Sequence, residues 1–219
     1  MNASALIASR PALVFDLDGT LANTATDLWL ALNCALAECG LPEVGIELVL
    51  GSLHGGLEET ARTAGGRLAG DVAVWRQLCR SYARHYQQRE HASSVLYDGV
   101  LALLDAGRQR GAVLAVCTNK SRDEALALLD RLGIKGHFDC VVGGDNAAFR
   151  KPHPGPLLQA LAEMSMRPDQ ALLIGDSHVD AQCAAAAGVA FVLHTGGYGG
   201  ARAGACLAHA RFHDYRELV

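Results

Sequence analysis

Four short apolar runs are spread along this chain of 219 residues, and each of them ends in a polar or glycine-containing turn. They span residues 12–15, 113–117, 140–142 and 171–174. An uninterrupted apolar run of this length is typical of a strand that is buried on both faces of a parallel sheet. Because ligands bind at the carboxyl ends of such strands, we expect the functional residues in the turns that follow them.

Helical patterns lie between these runs. Ala125, Leu129 and Leu132 recur at spacings of four and three residues, and Gly133 follows them as an expected helix C-cap. Strand and helix therefore alternate along most of the chain. This alternation predicts the α/β class, with a doubly wound, Rossmann-like parallel sheet.

Residues 22–96 interrupt the alternation, because they contain helical patterns but no buried strand pattern. The apolar positions with helical spacing are Leu28, Leu32, Ala35 and Leu36. Glycines at positions 51, 55–56 and 65–66 predict turns that divide the segment. We therefore predict a core formed by residues 1–21 and 97–219, and a small α-helical cap formed by residues 22–96 and inserted after the first strand.

Composition and charge narrow the class of protein. Half of the residues are hydrophobic and the formal net charge is −4, so the chain has no basic excess with which to bind a nucleic acid. No apolar run reaches membrane-spanning length, which argues against a membrane partner. Seven cysteines occur without a C-x-x-C pair, which favours buried thiols in a reducing cytosol and predicts a cytoplasmic protein.

The first turn carries two candidate catalytic carboxylates, Asp16 and Asp18, in the sequence Asp-Leu-Asp-Gly-Thr. Gly19 lets the chain turn and direct both carboxylates into one cleft. One carboxylate can attack phosphorus to form an acyl phosphate, and the other can protonate the leaving oxygen and then activate water. Taken alone, the same segment fits a solvated turn equally well.

Three later turns offer groups for phosphate and metal. Thr118 and Asn119 supply a hydroxyl, an amide and backbone N–H groups. Lys151, one of three lysines in the chain, is flanked by prolines and can neutralise both a carboxylate and a phosphoryl group. Asp176 and Asp180 suit a hard cation with oxygen ligands. Each group alone also fits a helix cap or a surface charge.

These four segments, in this order, resemble the four signature motifs of the haloacid dehalogenase-like hydrolases, and the resemblance covers nearly the whole chain. It implies that Asp16 is the nucleophile and that Asp18 is the general acid and base. It also implies that Thr118 and Asn119 bind phosphate, and that Lys151 bridges the nucleophile and the phosphate.

The resemblance also implies a Mg²⁺ cofactor. Its ligands would be Asp16, the backbone carbonyl of Asp18, Asp176 and water. Asp180 matches the last carboxylate of the fourth motif, which usually supports the ligands from outside the coordination sphere. The helical segment after the first motif matches a cap of the type inserted at that point.

Within this superfamily the chain is similar to phosphoglycolate phosphatases, through residues 15–21, 26–28, 142–145 and 151–154. This likeness implies a small phosphorylated metabolite, most simply 2-phosphoglycolate, as the substrate. Ala22, Asn23 and Asp98 depart from the family's usual residues at the two hinges of the cap, which bears on cap closure and substrate range.

His54, in the cap segment 51–56, is a candidate contact to the substrate beyond its phosphate, and a surface-loop histidine fits equally well. The sequence leaves the oligomeric state open, with a homodimer as one option.

Other activities remain as alternatives. A phosphosugar phosphatase or mutase shares this core, although mutases usually lack Thr20 and carry a histidine near the position of Leu28. A phosphonate hydrolase needs a cap lysine, and residues 22–96 contain none. Dehalogenases lack the second aspartate, here Asp18. A signalling receiver or a non-catalytic phosphate-binding protein is the rival from another class, and it needs neither Asp18 nor a lid.

Overall fold

The computed structural model describes residues 2–66, 71–145 and 150–219. They form two compact units: Met1–Asn23 together with Leu96–Val219, and Thr24–Val95. The strands in chain order are β1 (Ala12–Phe15), β2 (Ala22–Asn23), β3 (Val95–Leu96), β4 (Val113–Cys117), β5 (Cys140–Val142), β6 (Ala171–Gly175), β7 (Ala190–His194) and β8 (Ala210–Phe212).

The described helices in chain order are α1 (Ala3–Ala8), α2 (Ala25–Glu38), α3 (Ile46–Ser52), α4 (Leu57–Gly65), α5 (Val72–Gln88), α6 (Val100–Gln109), α7 (Arg122–Arg131), α8 (Gly155–Glu163), α9 (His178–Ala187) and α10 (Gly200–Gly204). Short 3-10 turns span Leu53–Gly55, Lys135–His137, Pro168–Gln170 and Tyr215–Glu217.

The first unit is built on a six-stranded parallel sheet with the order β5-β4-β1-β6-β7-β8. The chain builds one half outward from β1 through β4 and β5, and then crosses to β6 and builds the other half. The doubly wound parallel sheet predicted from the sequence is thereby confirmed. Its central strands β4, β1 and β6 place their carboxyl ends side by side, which is where such sheets bind ligands.

Both faces of the sheet are buried, so alternate residues of each central strand enter different hydrophobic clusters. On β1, Leu13 and Phe15 belong to one cluster, whereas Ala12 and Val14 belong to the other. On the first face, the three central strands contribute Leu13, Phe15, Leu114, Val116, Leu172 and Ile174. Burial on both faces explains why these strands appear as continuous apolar runs in the sequence.

Two neighbouring strands of the six-stranded sheet, β7 and β8, were not predicted from the sequence. β7 pairs with β6 and is mostly buried, but β8 has only three residues and includes an exposed arginine, Arg211. A strand this short leaves too weak a pattern to detect. The four strands that were predicted match the structure, except that β6 extends one residue further, to Gly175.

The second unit contains helices α2 to α5. Its core is formed by Leu28, Ala31, Leu32, Ala35, Leu36, Val49, Ala61, Leu78, Tyr82 and Tyr86. Gly56 and Gly66 adopt positive φ angles at the ends of α4, as turn residues do. The turn predicted at Gly51 is wrong, because this residue lies inside α3, with open space around its Cα.

Asp27 is a fully buried carboxylate of this helical unit. It accepts hydrogen bonds from Arg89 Nε at 2.8 Å, the Ser93 N–H at 2.9 Å and Ser94 Oγ at 2.8 Å. Burial opposes ionisation, but these donors, led by Ser94 and Arg89, hold the pKa of Asp27 below its usual value. The first turn of α2 is thereby tied to the residues that follow α5.

Two further findings concern the described residues. None of their helices combines the length and the apolar composition that crossing a lipid bilayer requires. None of the seven cysteines, all of them among the described residues, is part of a disulfide, but only Cys117 and Cys183 are buried, so the expectation that the thiols would be buried is wrong for the other five.

Candidate active site

The predicted site residues of the core come from the carboxyl ends of adjacent strands. Asp16 directly follows β1, Thr118 follows β4, and Asp176 follows β6. The Asp16 N–H donates to Ile174 O at 2.9 Å, and the Thr118 N–H donates to Val142 O at 3.0 Å. Backbone hydrogen bonds to the neighbouring strands thus continue one residue beyond β1 and β4. They fix the backbone positions of Asp16 and Thr118.

Lys151 joins two of the carboxylates. Its Nζ atom lies 2.9 Å from Asp16 Oδ1 and 2.6 Å from Asp180 Oδ1, and only 2% of its side chain is exposed. Burial opposes the charged ammonium, but the Asp16 and Asp180 carboxylates raise the pKa of Lys151 well above its usual value. Lys151 is therefore a fixed positive charge beside Asp16.

Three carboxylates lie close enough to share a cation. Asp16, Asp176 and Asp180 each place an oxygen within 4.8 Å of the others. Both oxygens of Asp180 are already engaged, Oδ1 by Lys151 and Oδ2 by the Ser177 hydroxyl at 2.6 Å. Asp180 is therefore better placed to orient Lys151 than to bind a cation itself. The set of oxygen donors fits a hard divalent metal.

Burial and crowding disfavour negative charge in this cluster. Burial raises the pKa of Asp16 to about 6, and the nearby Asp180 adds to the rise while Lys151 opposes it. Burial also raises the pKa of Asp176 well above its usual value, with further contributions from Asp180 and Asp16. A bound dication would compensate the negative charges and so stabilise the ionised forms of these carboxylates.

Asp176 is held by groups that were not predicted to belong to the site. Its Oδ1 accepts from the Thr20 hydroxyl at 3.1 Å, and its Oδ2 accepts from the Tyr198 N–H at 2.7 Å. The Tyr215 hydroxyl donates to Thr20 O at 2.9 Å. Gly19 has a φ angle of +81°, and a Cβ there would lie 2.5 Å from Asp176 Oδ2, so only glycine fits.

Asp18 is not one of the three clustered carboxylates. Its two oxygens accept from Lys120 Nζ at 3.1 and 3.0 Å, and the exposed fractions of the two side chains are 19% and 6%. Lys120 was not predicted as a site residue. The only signal for it in the sequence was its position directly after Thr118 and Asn119.

Asn119 uses its side chain to hold the backbone of Lys151. Its amide Nδ2 donates to Lys151 O at 3.0 Å, and its Oδ1 accepts from the Lys151 N–H at 2.9 Å. Thr118 is buried, and its hydroxyl oxygen accepts from the Lys120 N–H at 3.2 Å. The structure thus brings Asn119 and Lys151 together across 32 residues of sequence.

His54, the tentative substrate contact, lies in the second unit. It occupies the 3-10 turn Leu53–Gly55 between α3 and α4 and is partly buried.

Comparison with known proteins defines the class. A family model described as haloacid dehalogenase-like hydrolase matches residues 13–194, and the chain belongs to this family. Two curated relatives are phosphoglycolate phosphatases. The protein of Rhodospirillum rubrum is 41% identical over 214 residues, covering 94% of this chain and 88% of the relative. The protein of Mesorhizobium japonicum is 39% identical over 195 residues, covering 87% of this chain and 85% of the relative.

A solved structure agrees with these relatives. The crystal structure of a predicted phosphoglycolate phosphatase from Haemophilus somnus 129pt superimposes with a TM-score of 0.89, at 29% identity, covering 96% of each chain. The present chain is accordingly a phosphatase that resembles phosphoglycolate phosphatases, as the motifs indicated.

Proposed function

We propose that the protein is a Mg²⁺-dependent phosphomonoester hydrolase that works through a phosphorylated Asp16, and that its substrate is 2-phosphoglycolate. The observation that carries this proposal is the position of Asp16. Its carboxylate follows the central strand, lies 2.9 Å from Lys151 Nζ and belongs to the acidic cluster. A nucleophile, a fixed cation and cation ligands are thereby combined at the carboxyl ends of adjacent strands.

Charge balance supports a dication. The three clustered aspartates, when ionised, face one ammonium group, that of Lys151, so two negative charges remain. Mg²⁺ would neutralise them and favours the oxygen ligands that Asp16, Asp176 and the Asp18 carbonyl offer. When bound, the ion supplies positive charge to the phosphate and shields it from the carboxylates.

The reaction that these residues support has two displacements at phosphorus. A carboxylate oxygen of Asp16 attacks phosphorus, the ester P–O bond breaks, and Asp18, which must be protonated at this stage, gives its proton to the departing oxygen. Asp18 then takes a proton from water, whose oxygen attacks the phosphorus of the acyl phosphate. The second step releases inorganic phosphate and regenerates the Asp16 carboxylate.

Phosphate oxygens would be held by the groups around Asp16. The Lys151 ammonium would stabilise the charge on the transferring phosphoryl group, because it is buried and fixed by Asp180. The Thr118 hydroxyl would donate to a phosphate oxygen. Since the Asn119 amide is engaged with the Lys151 backbone, we assign the phosphate contact of this residue to its backbone N–H.

The substrate assignment rests on the relatives named phosphoglycolate phosphatase. A panel of phosphomonoesters, including 2-phosphoglycolate, several phosphosugars and p-nitrophenyl phosphate, tests it by kcat/KM with Mg²⁺ present. We expect continuous turnover and the highest kcat/KM for 2-phosphoglycolate. A preference for a phosphosugar would show that the substrate is a phosphosugar and not 2-phosphoglycolate. A single stoichiometric phosphorylation without turnover would show that the protein is a receiver and not an enzyme.

We further propose that residues 22–96 act as a cap and that His54 contacts the part of the substrate beyond the phosphate. The motifs of the core account for phosphate and metal, but they provide no group to recognise the glycolate carboxylate. Replacing His54 by alanine is therefore expected to lower kcat/KM for 2-phosphoglycolate by about tenfold to a hundredfold, the effect of losing a hydrogen bond to a charged group.

The same variant should retain its kcat/KM for p-nitrophenyl phosphate, which has no carboxylate to bind. His85→Ala provides the matched control, because His85 lies on α5 and pairs with Glu38 within the helical unit. Equal losses on both substrates would place His54 in the fold or the chemistry. No loss on either substrate would show that it is an ordinary loop residue.

A further inference from the structure

Lys120 makes a symmetric contact with the carboxylate of Asp18. Its Nζ atom lies 3.1 Å from Oδ1 and 3.0 Å from Oδ2, and only 6% of the lysine side chain is exposed. An ammonium placed between both oxygens restricts rotation of the carboxylate about its terminal bond. This pair is separate from the contacts of Lys151, whose ammonium faces Asp16 and Asp180.

The backbone of Lys120 is fixed by its surroundings. Its N–H donates to Thr118 Oγ1 at 3.2 Å, and its carbonyl accepts from the Gly144 N–H at 2.8 Å. A Cβ at Gly144 would lie 2.5 Å from Asn119 O, so the glycine permits the close approach of these two segments. The ammonium therefore extends from a rigid part of the loop that carries Thr118 and Asn119.

We propose that Lys120 is a positioning residue that holds the Asp18 carboxyl group in the orientation needed for proton transfer to and from the substrate oxygen. The inference rests on the proposed function, in which Asp18 is the general acid and base. A long side chain anchored on the phosphate-binding loop links the position of the acid to the place where phosphate binds. General acid catalysis depends on such geometry, because the donor must lie within hydrogen-bonding reach of the leaving oxygen.

Two substrates whose leaving groups differ in basicity can distinguish a role of Lys120 in positioning Asp18 from a role in phosphate binding or folding. Ethyl phosphate has a poor leaving group that needs a proton, whereas p-nitrophenyl phosphate has a good leaving group that does not. The readout is the ratio of kcat/KM for ethyl phosphate to kcat/KM for p-nitrophenyl phosphate, measured on the same preparation of each variant. Because both constants scale with the amount of folded enzyme, partial misfolding cancels from this ratio.

In Lys120→Met the ratio is expected to fall about tenfold or more, as part of the contribution of general acid catalysis is lost. The leaving group of 2-phosphoglycolate is also poor. The ratio of kcat/KM for 2-phosphoglycolate to kcat/KM for p-nitrophenyl phosphate should therefore fall by a similar factor. Lys120→Arg, which retains a cation, should recover part of the loss. Lys135→Met is the matched control, because Lys135 pairs with Asp130 on the surface and should leave the ratio unchanged.

The double variant Asp18→Asn/Lys120→Met should have a ratio no lower than that of Asp18→Asn alone, because Lys120 acts through Asp18. An unchanged ratio in Lys120→Met, with both substrates slowed equally, would overturn the proposal in favour of a role in phosphate binding or folding. A loss confined to 2-phosphoglycolate would overturn it too, since Lys120 would then bind the substrate carboxylate.

Asp18→Asn separates failure of this inference from failure of the proposed function. If this variant lowers the ratio and Lys120→Met does not, only the role of Lys120 is wrong. If Asp18→Asn itself leaves the ratio unchanged, Asp18 is not the general acid, and the proposed mechanism and the role of Lys120 both fail.

Discussion

Replacement of Asp16 by asparagine is expected to lower kcat by roughly ten-thousandfold or more, because a nucleophile takes part in every transition state of the reaction. An amide is a far weaker nucleophile than a carboxylate, and the Lys151 ammonium beside it would have no anionic nucleophile to activate. Steady-state turnover of 2-phosphoglycolate and of p-nitrophenyl phosphate checks this result. The loss should be similar on both substrates, since both must phosphorylate the same residue.

A folding defect can be distinguished from a chemical one by thermal unfolding. Burial raises the pKa of Asp16 from its ordinary value of 3.8 to about 6, so the folded protein accommodates the ionised carboxylate less well than the unfolded chain does. Without metal, the ionised group therefore reduces the free energy of unfolding as pH rises between these two values. The neutral asparagine does not titrate, so the part of this pH-dependent loss that comes from Asp16 should be absent from the unfolding curves of Asp16→Asn.

The exposed Asp130 on α7 supplies a matched control for this substitution. Asp130→Asn should keep wild-type turnover, because its only described ion pair is with Lys135 on the surface. A folded Asp16→Asn protein with near-normal kcat would contradict the assignment of the nucleophile.

Removal of divalent metal is expected to have the second largest effect. Chelation with EDTA should reduce turnover to background, and added Mg²⁺ should restore it, because the carboxylates of the site otherwise repel the phosphate. Ca²⁺ should not restore activity, since its larger and more flexible coordination shell permits bidentate binding of a carboxylate and leaves no free oxygen for attack.

Metal binding can also be measured without turnover. Mg²⁺ should raise the melting temperature of the wild-type protein, as any ligand that binds only the folded state does. The increase should be lost in Asp176→Asn and retained in the surface variant Asp130→Asn. Full activity after rigorous chelation, or an equal thermal shift in Asp176→Asn, would refute the metal assignment.

The pattern of apolar residues along the chain was enough to predict the strands that carry the site. β1, β4 and β5 have the bounds that their apolar runs indicated, because burial on both faces leaves an uninterrupted apolar segment. The parallel arrangement then brings Asp16 and Asp176 to one sheet edge. This much follows from periodicity and from the rule that ligands bind at the carboxyl ends of strands.

Pairings between distant residues could not be predicted in the same way. Lys120 and Asp18 are 102 residues apart, and nothing in either local sequence specifies the other. The Tyr198 N–H that binds Asp176 follows β7, a strand that the sequence analysis missed. The Asn119 side chain could serve phosphate or backbone by its chemistry alone, and only the fold directs it to Lys151.

The central claim of a phosphorylated Asp16 is tested most directly by trapping the intermediate. The enzyme is mixed with Mg²⁺ and excess 2-phosphoglycolate, quenched in acid within one turnover, digested and analysed by mass spectrometry. We predict that the mass of one phosphoryl group appears on Asp16, that hydroxylamine removes it as expected for an acyl phosphate, and that Asp16→Asn shows no such label. Release of phosphate by the wild type without any label on Asp16, or a label on another residue, would contradict the account.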